Sequence, residues 1–238
     1  MLLFYLRHGD PIYIPDSLTP LGKRQAEALS KRLSLYGIDK IYASTSERAI
    51  QTATPTAEIL KKEITTLDFA NEIHAWQEIT CTDSEGNRRW LFDSGEAMEI
   101  FSSEEVRALG HRWCEHPYFA AMNLSEGFQR IKRETDAFLA SLGYESTKDF
   151  GKYKIVNSNP DRVALFAHAG FGIAFLSTLL GIPYPEFASH FDMCHTGMTV
   201  INFREIGDYA YPRIMTYSSD SHLYREGLPT RYNNTIPF

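Results

Sequence analysis

Two kinds of hydrophobic pattern alternate along this chain: short unbroken apolar runs, and longer stretches with helical spacing. The first run, Leu2–Leu6, has no polar alternation, which predicts a strand buried on both faces. "TPLGKRQAEALSKRLSLYG" follows, with Leu21, Ala28, Leu29, Leu33 and Tyr36 at helical intervals. Thr19 suits its N-cap, Pro20 its first position and Gly37 its end. "DKIYAS" reads as a second strand. A second helix opens at "STSERAIQTA", where Ser44 and Glu47 match a capping box and Pro55 predicts a kink or restart. "EITTLDF" reads as a third strand. Strand, helix, strand, helix, strand implies right-handed crossovers and a mostly parallel sheet covered on both faces.

From about Trp76 to Met122 this rhythm breaks. The stretch holds all three tryptophans (Trp76, Trp90, Trp113), a turn-like "TDSEGN", and a short helix in "SSEEVRALGHRWCEH" capped by Ser102 or Ser103. It reads as a cap laid over one end of the sheet. "LSEGFQRIKRETDAFLASLGY" is amphipathic, with Phe128, Ile131, Phe138, Leu139 and Leu142 on its inner side. "RVALFAHAGFGIAFLSTLLG" runs from a buried strand into an apolar helix, and "GMTVINFRE" and "YPRIMTYS" predict two late strands. The expected fold is α/β: a three-layer sandwich with a mostly parallel central sheet, helices on both faces and a cap insertion at about 76–122. Residues 1–238 read as one domain.

Composition narrows the function. The chain has 238 residues, is 43% hydrophobic, and carries a net charge of −6. That balance argues against a general nucleic-acid binder, while a local pocket for a small anion stays open. Three scattered cysteines (Cys81, Cys114, Cys194) form neither a disulfide framework nor a paired zinc motif and suit a reducing compartment. "MLLFYL" is too short for a signal-peptide core, and "GFGIAFLSTLLGIP" too short and glycine-broken for a membrane span. A cytoplasmic location is expected. His111, Cys114 and His116 in "HRWCEH" invite a zinc reading, but no fourth ligand is evident and no metal is expected.

In an open parallel sheet, ligands collect beyond the carboxyl ends of the strands. The first strand ends at Arg7-His8-Gly9. The second ends at Ser44, ahead of a helix start that carries Arg48, and the third is followed by "NEIH", with Glu72 and His74. The strand "RVALFA" ends at His168. Two arginines, two histidines and a glutamate can therefore converge.

"YLRHG", "SLTPLGKRQAEAL", "IYASTSERAIQTA", "NEIH" and "FAHAGFGIAFLSTLLG" occur in the order found in the histidine phosphatase superfamily. The chain resembles its phosphoglycerate-mutase-like branch over most of its length outside the Trp76–Met122 segment. The resemblance implies that a neutral His8 attacks phosphorus to form a phosphohistidine, with Arg7 and Arg48 clamping the phosphoryl oxygens. It implies that His168 and the N–H of Ala169 assist, that Gly9 lets the backbone approach the phosphate, and that Glu72 donates the proton to the leaving oxygen. Glu126, in "SEGF", is the rival acid. His195 and His222 sit beside family-like segments and read as structural, His74 cannot be placed, and Arg88 and Arg89 read as a solvated face. Where relatives carry Glu-Thr after RHG and a nearby phosphate-touching asparagine, this chain has Asp10-Pro11 and no asparagine in that loop. His168-Ala169-Gly170 replaces His-Gly-Gly, and "AWQEI" replaces Trp-Glu-Gly.

The function implied is hydrolysis of a small phosphate monoester without cofactor. A phosphoglycerate mutase-type transfer and a non-catalytic phosphate-binding module are the alternatives. Oligomeric state is not legible.

Overall fold

In the computed structural model, which describes residues 1–234 and 236, the opening apolar run is β1 (Leu2–Arg7). Leu3 and Tyr5 enter one hydrophobic cluster and Phe4 and Leu6 another, so the strand is buried on both faces as its sequence predicts. A small hairpin of β2 (Pro11–Ile12) and β3 (Ser17–Leu18) leads to α1 (Pro20–Tyr36). Thr19 caps α1 by accepting from the Gly22 N–H, and Gly37 closes it with φ +68°. Next come β4 (Lys40–Ser44), α2 (Glu47–Leu60) and β5 (Ile64–Leu67).

Two local expectations fail in this stretch. Ser44 ends β4 instead of capping α2; the N-cap is Ser46, whose side chain makes no cap bond. The Asp16 carboxylate takes the Glu47 N–H at 2.8 Å in its place, a cap supplied from a distant loop. Nor does Pro55 break the helix, which runs through it. Proline forfeits one backbone bond, and Ala49, Thr52, Ala53, Thr56 and Ala57, all buried along the same helix, hold it together.

The third strand is followed by α3 (Glu72–Glu78). The segment expected as a cap holds the hairpin β6 (Thr80–Thr82) and β7 (Arg88–Trp90), then α4 (Gly95–Phe101), α5 (Glu104–Leu109) and α6 (Pro117–Ala120). Ser103 caps α5, accepting from the Val106 N–H. Leu91, Phe101, Val106, Trp113 and Phe119 are buried in the same cluster as Leu3 and Tyr5, so this segment shares the core of the sheet. α7 (Ser125–Ser141) follows, then β8 (Tyr144–Ser146), β9 (Tyr153–Ile155) and β10 (Arg162–Ala167). The chain ends with α8 (Ala169–Leu180), α9 (Tyr184–Ala188), β11 (Met198–Ile206), β12 (Tyr209–Ser219) and α10 (Ser221–Arg225).

Eight strands form one sheet in the order β5-β4-β10-β1-β11-β12-β9-β8. β5, β4, β10 and β1 are parallel, as the strand–helix alternation requires. The other half is antiparallel, so the α/β sheet is mixed. β11 and β12 are joined by Gly207-Asp208 alone, a link too short for a parallel crossover. Among the described residues no helix is long and apolar enough to cross a membrane.

Candidate active site

The carboxyl ends of the parallel strands bring the predicted residues together. Ligand-capable atoms of His8, Glu72 and His168 all lie within 4.8 Å of one another. The His8 and His168 rings meet edge-on with centroids 5.2 Å apart. Arg48 Nη2 is 3.2 Å from Glu72 Oε2 and 3.1 Å from His168 Nδ1.

His8 is fully enclosed. Its Nδ1 lies 2.7 Å from the Gly9 carbonyl oxygen, so Nδ1 carries the proton and Nε2 keeps its lone pair. Burial holds its pKa well below the ordinary histidine value, with His168, Arg7 and Arg48 pushing the same way. The imidazole is therefore neutral at physiological pH. Its carbonyl accepts from the Thr196 N–H at 3.1 Å, and the His195 ring stacks beside it at 5.9 Å.

His168 precedes α8 as its N-cap residue. Its Nδ1 accepts from Arg48, so Nε2 donates, lying 2.8 Å from Ser44 Oγ and 3.3 Å from Ser46 Oγ. Burial first, then Arg48 and Arg7, keep its pKa well below the usual value. Tyr5 donates to the His168 carbonyl at 2.7 Å and fixes the turn. Ala169 opens α8, and the neighbouring Gly170 N–H donates to Glu72 Oε1 at 2.9 Å. Glu72 thus reaches both the α8 terminus and Arg48, while Glu126 lies exposed in the first turn of α7.

The arginines are engaged more heavily than the sequence suggests. Arg7 donates to the Met193 carbonyl and the Asn233 amide oxygen. Arg48 pairs with Asp16 at 2.8 Å as well as with Glu72. Each guanidinium also keeps a buried Nε–H with no partner among the described residues, a donor suited to an oxyanion. The same His8, Glu72 and His168 atoms could in principle ligate a cation, but the guanidinium of Arg48 among them favours an anion.

Gly9 is packed tightly behind His8. Its N–H donates to Thr52 Oγ1 at 3.0 Å and its carbonyl takes His8, so its backbone is already committed. A Cβ there would lie 2.7 Å from the Gly22 oxygen, and one on Gly22 would overlap the Asp10 carbonyl. The glycine pair lets α1 press against the loop that holds His8. Asp10 is bound by Thr19 and Gln25.

Several residues here escaped the sequence reading. Asp16 carries no motif, and Asn233 joins Arg7 across 226 positions and also lies 3.3 Å from His195 Nε2. Nothing in a single sequence marks either one. His195 lies beside His8, whereas His222 is structural, with Nε2 3.0 Å from Thr196 Oγ1. His74 pairs with Asp68, Arg88 stacks on Trp76, and Arg89 pairs with Asp83. Trp113 packs against Phe101, Phe119, Phe128 and Tyr184, while Trp76 and Trp90 line a cavity of about 580 Å³ beside Arg48 and Glu72.

Fold and site together define a class: α/β proteins that gather a buried neutral imidazole, a second imidazole and guanidinium groups at one edge of a parallel sheet. Residues 7–115 match the model of the histidine phosphatase superfamily (branch 1). The match includes Arg7, His8, Arg48 and Glu72 and runs through most of the segment expected to lie outside the resemblance; His168 lies beyond it. A search of curated proteins returned no match.

The chain is similar in structure to a phosphoserine phosphatase from Entamoeba histolytica in complex with 3-phosphoglyceric acid. The TM-score is 0.59 at 20% identity, covering 93% of this chain and 98% of that one. It is also similar to a mycobacterial glucosyl-3-phosphoglycerate phosphatase complexed with VO3, with TM-score 0.57, 18% identity, and 92% and 99% covered. At these identities the likeness establishes the fold.

Proposed function

We propose that this chain is a phosphomonoester hydrolase that works through a phosphohistidine on His8, acting in the cytoplasm on a small phosphorylated substrate. In this reading residues 1–238 form one domain whose cap borders the leaving-group side. Arg7, Arg48, His168 and the N–H of Ala169 bind the phosphoryl oxygens, and Gly9 shapes the strand end behind the nucleophile. His8 Nε2 attacks phosphorus; the N–P bond forms as the ester P–O bond breaks, and Glu72 gives its proton to the leaving oxygen. Water then gives a proton to Glu72 while its oxygen bonds to phosphorus. The N–P bond breaks, inorganic phosphate departs, and neutral His8 returns.

The observation that carries this reading is the His8 imidazole, held neutral by burial with Nδ1 turned to the Gly9 carbonyl. That leaves Nε2 as a preorganised nucleophile among positive groups. What supports the donor role of Glu72 is its place: Oε2 lies 3.2 Å from Arg48 Nη2, in the same 4.8 Å cluster as the His8 ring. A dianion beside His168 raises its proton affinity and makes Nδ1 a further donor. The test is hydrolysis of a chromogenic aryl phosphate with trapping of acid-labile protein phosphate. Both are expected in the parent and absent in His8→Ala; parental turnover in that variant would refute the proposal.

A further inference from the structure

The cavity beside the phosphoryl site has a wall of unusual chemistry for a protein that handles anions. Arg48 is its one cationic residue among the described lining, and Asp16 and Glu72 already share that charge. Glu47 adds a third carboxylate. The rest of the wall holds three aromatic side chains, Tyr13, Trp76 and Trp90, beside Thr45, Ser46, Asn71, Ile73 and Asn233. Trp76 and Trp90 meet at 75° with centroids 5.1 Å apart, forming a corner of two indole planes. A Cβ on Gly170 would lie 2.5 Å from the Trp90 ring, so the corner sits directly against the start of α8, where Glu72 accepts from Gly170. That is the side on which the alcohol would leave.

The rings already attract cations. The Arg48 guanidinium lies 5.4 Å from the Tyr13 centroid and Arg88 lies 5.8 Å from that of Trp76. Arg88 is tied outside the cavity to Thr80 and the Gln77 carbonyl, and Arg89 to Asp83, so neither lines the corner.

We propose that this corner receives an ammonium group, which makes the substrate a phosphate monoester of an amino or quaternary-ammonium alcohol. The inference rests on the phosphatase reading above and names the substrate class of that same site. The phosphate end meets Arg7 and Arg48, and the cation meets the indole rings in a cavity that Glu47 also lines. A leaving group bearing a carboxylate instead meets surplus negative charge and no free cation. Discrimination therefore follows charge at constant shape.

The experiment compares kcat/KM for phosphocholine, for its neutral isostere 3,3-dimethylbutyl phosphate, and for 3-phosphoglycerate, with an aryl phosphate as reference. Phosphocholine is expected to exceed the isostere by about tenfold and 3-phosphoglycerate by more. Trp76→Leu and Glu47→Gln should each shrink the phosphocholine-to-isostere ratio. Choline binding to the His8→Ala protein, read by tryptophan fluorescence, gives a readout independent of turnover. If the aryl phosphate is hydrolysed but the isostere or 3-phosphoglycerate equals phosphocholine, the ammonium assignment is overturned. If no ester is hydrolysed while choline still binds, the phosphatase reading falls and the cation corner stands. If choline does not bind, the corner is wrong.

Discussion

Lowering the pH from 7 to 5 should destabilise this protein far more than its carboxylates explain, because the fold keeps four histidines buried and neutral. His8, His168, His195 and His222 are each at most 3% exposed. All four pKa values are lowered chiefly by burial, that of His222 to about 4. In the unfolded chain each returns to about 6.5 and takes up a proton across this window. The unfolded state then binds more protons than the folded one, so stability falls as pH drops. It is fully present above about 6.5 and is lost progressively until the folded pKa is reached. For His222, integration between pH 7 and 5 gives about 2 kcal/mol. The other three are shifted in the same direction, so the combined loss exceeds that of His222 alone.

The assay is urea unfolding followed by tryptophan fluorescence at half-unit pH steps. With a slope of about 3 kcal/mol/M, the midpoint should fall by at least about 0.6 M. His222→Gln, which lies outside the candidate site, should remove about 2 kcal/mol of the pH dependence. A midpoint that stays flat between pH 7 and 5 would refute the reasoning. It would also remove the argument that His8 is held neutral for attack.

Gly22→Ala should cost about 1–3 kcal/mol in the same urea assay, since its Cβ would overlap the Asp10 carbonyl; an unchanged midpoint would show that α1 can retreat. Asp16→Asn removes a negative charge 2.8 Å from Arg48, so inhibition by inorganic phosphate should tighten about fivefold. Weaker inhibition would make Asp16 a positioning residue for Arg48. Glu72→Gln should lower kcat on an alkyl phosphate by about 10²–10⁴-fold, whereas Glu126→Gln, exposed on α7, should remain within about twofold. The reverse order would exchange their assignments.

Much of the core was legible because its signals are local. Thr19, Pro20 and Gly37 mark the ends of α1 by backbone chemistry that acts within a few residues. The unbroken apolar run of β1 reports burial on both faces without reference to its neighbours. Pro55 misled because a local penalty was outweighed by the packing of α2, which the residue itself does not encode. The mixed sheet was hidden because strand direction depends on partners distant in sequence, such as β1 beside β11.

The identities of Arg7, His8, Arg48, Glu72 and His168, and their positions at strand ends and helix starts, were written in the sequence. Residue types are read directly off a chain, and the parallel half of the sheet delivers its strand ends to one edge. The tertiary structure alone decided the His8 tautomer, the pairing of Arg48 with Asp16, the reach of Asn233 to Arg7, and the aromatic corner beside Glu72. Apart from His8 and its neighbour Gly9, these contacts join residues well separated along the chain. Which groups meet, and at what distance, is set by how the elements pack, and no spacing along the chain records it.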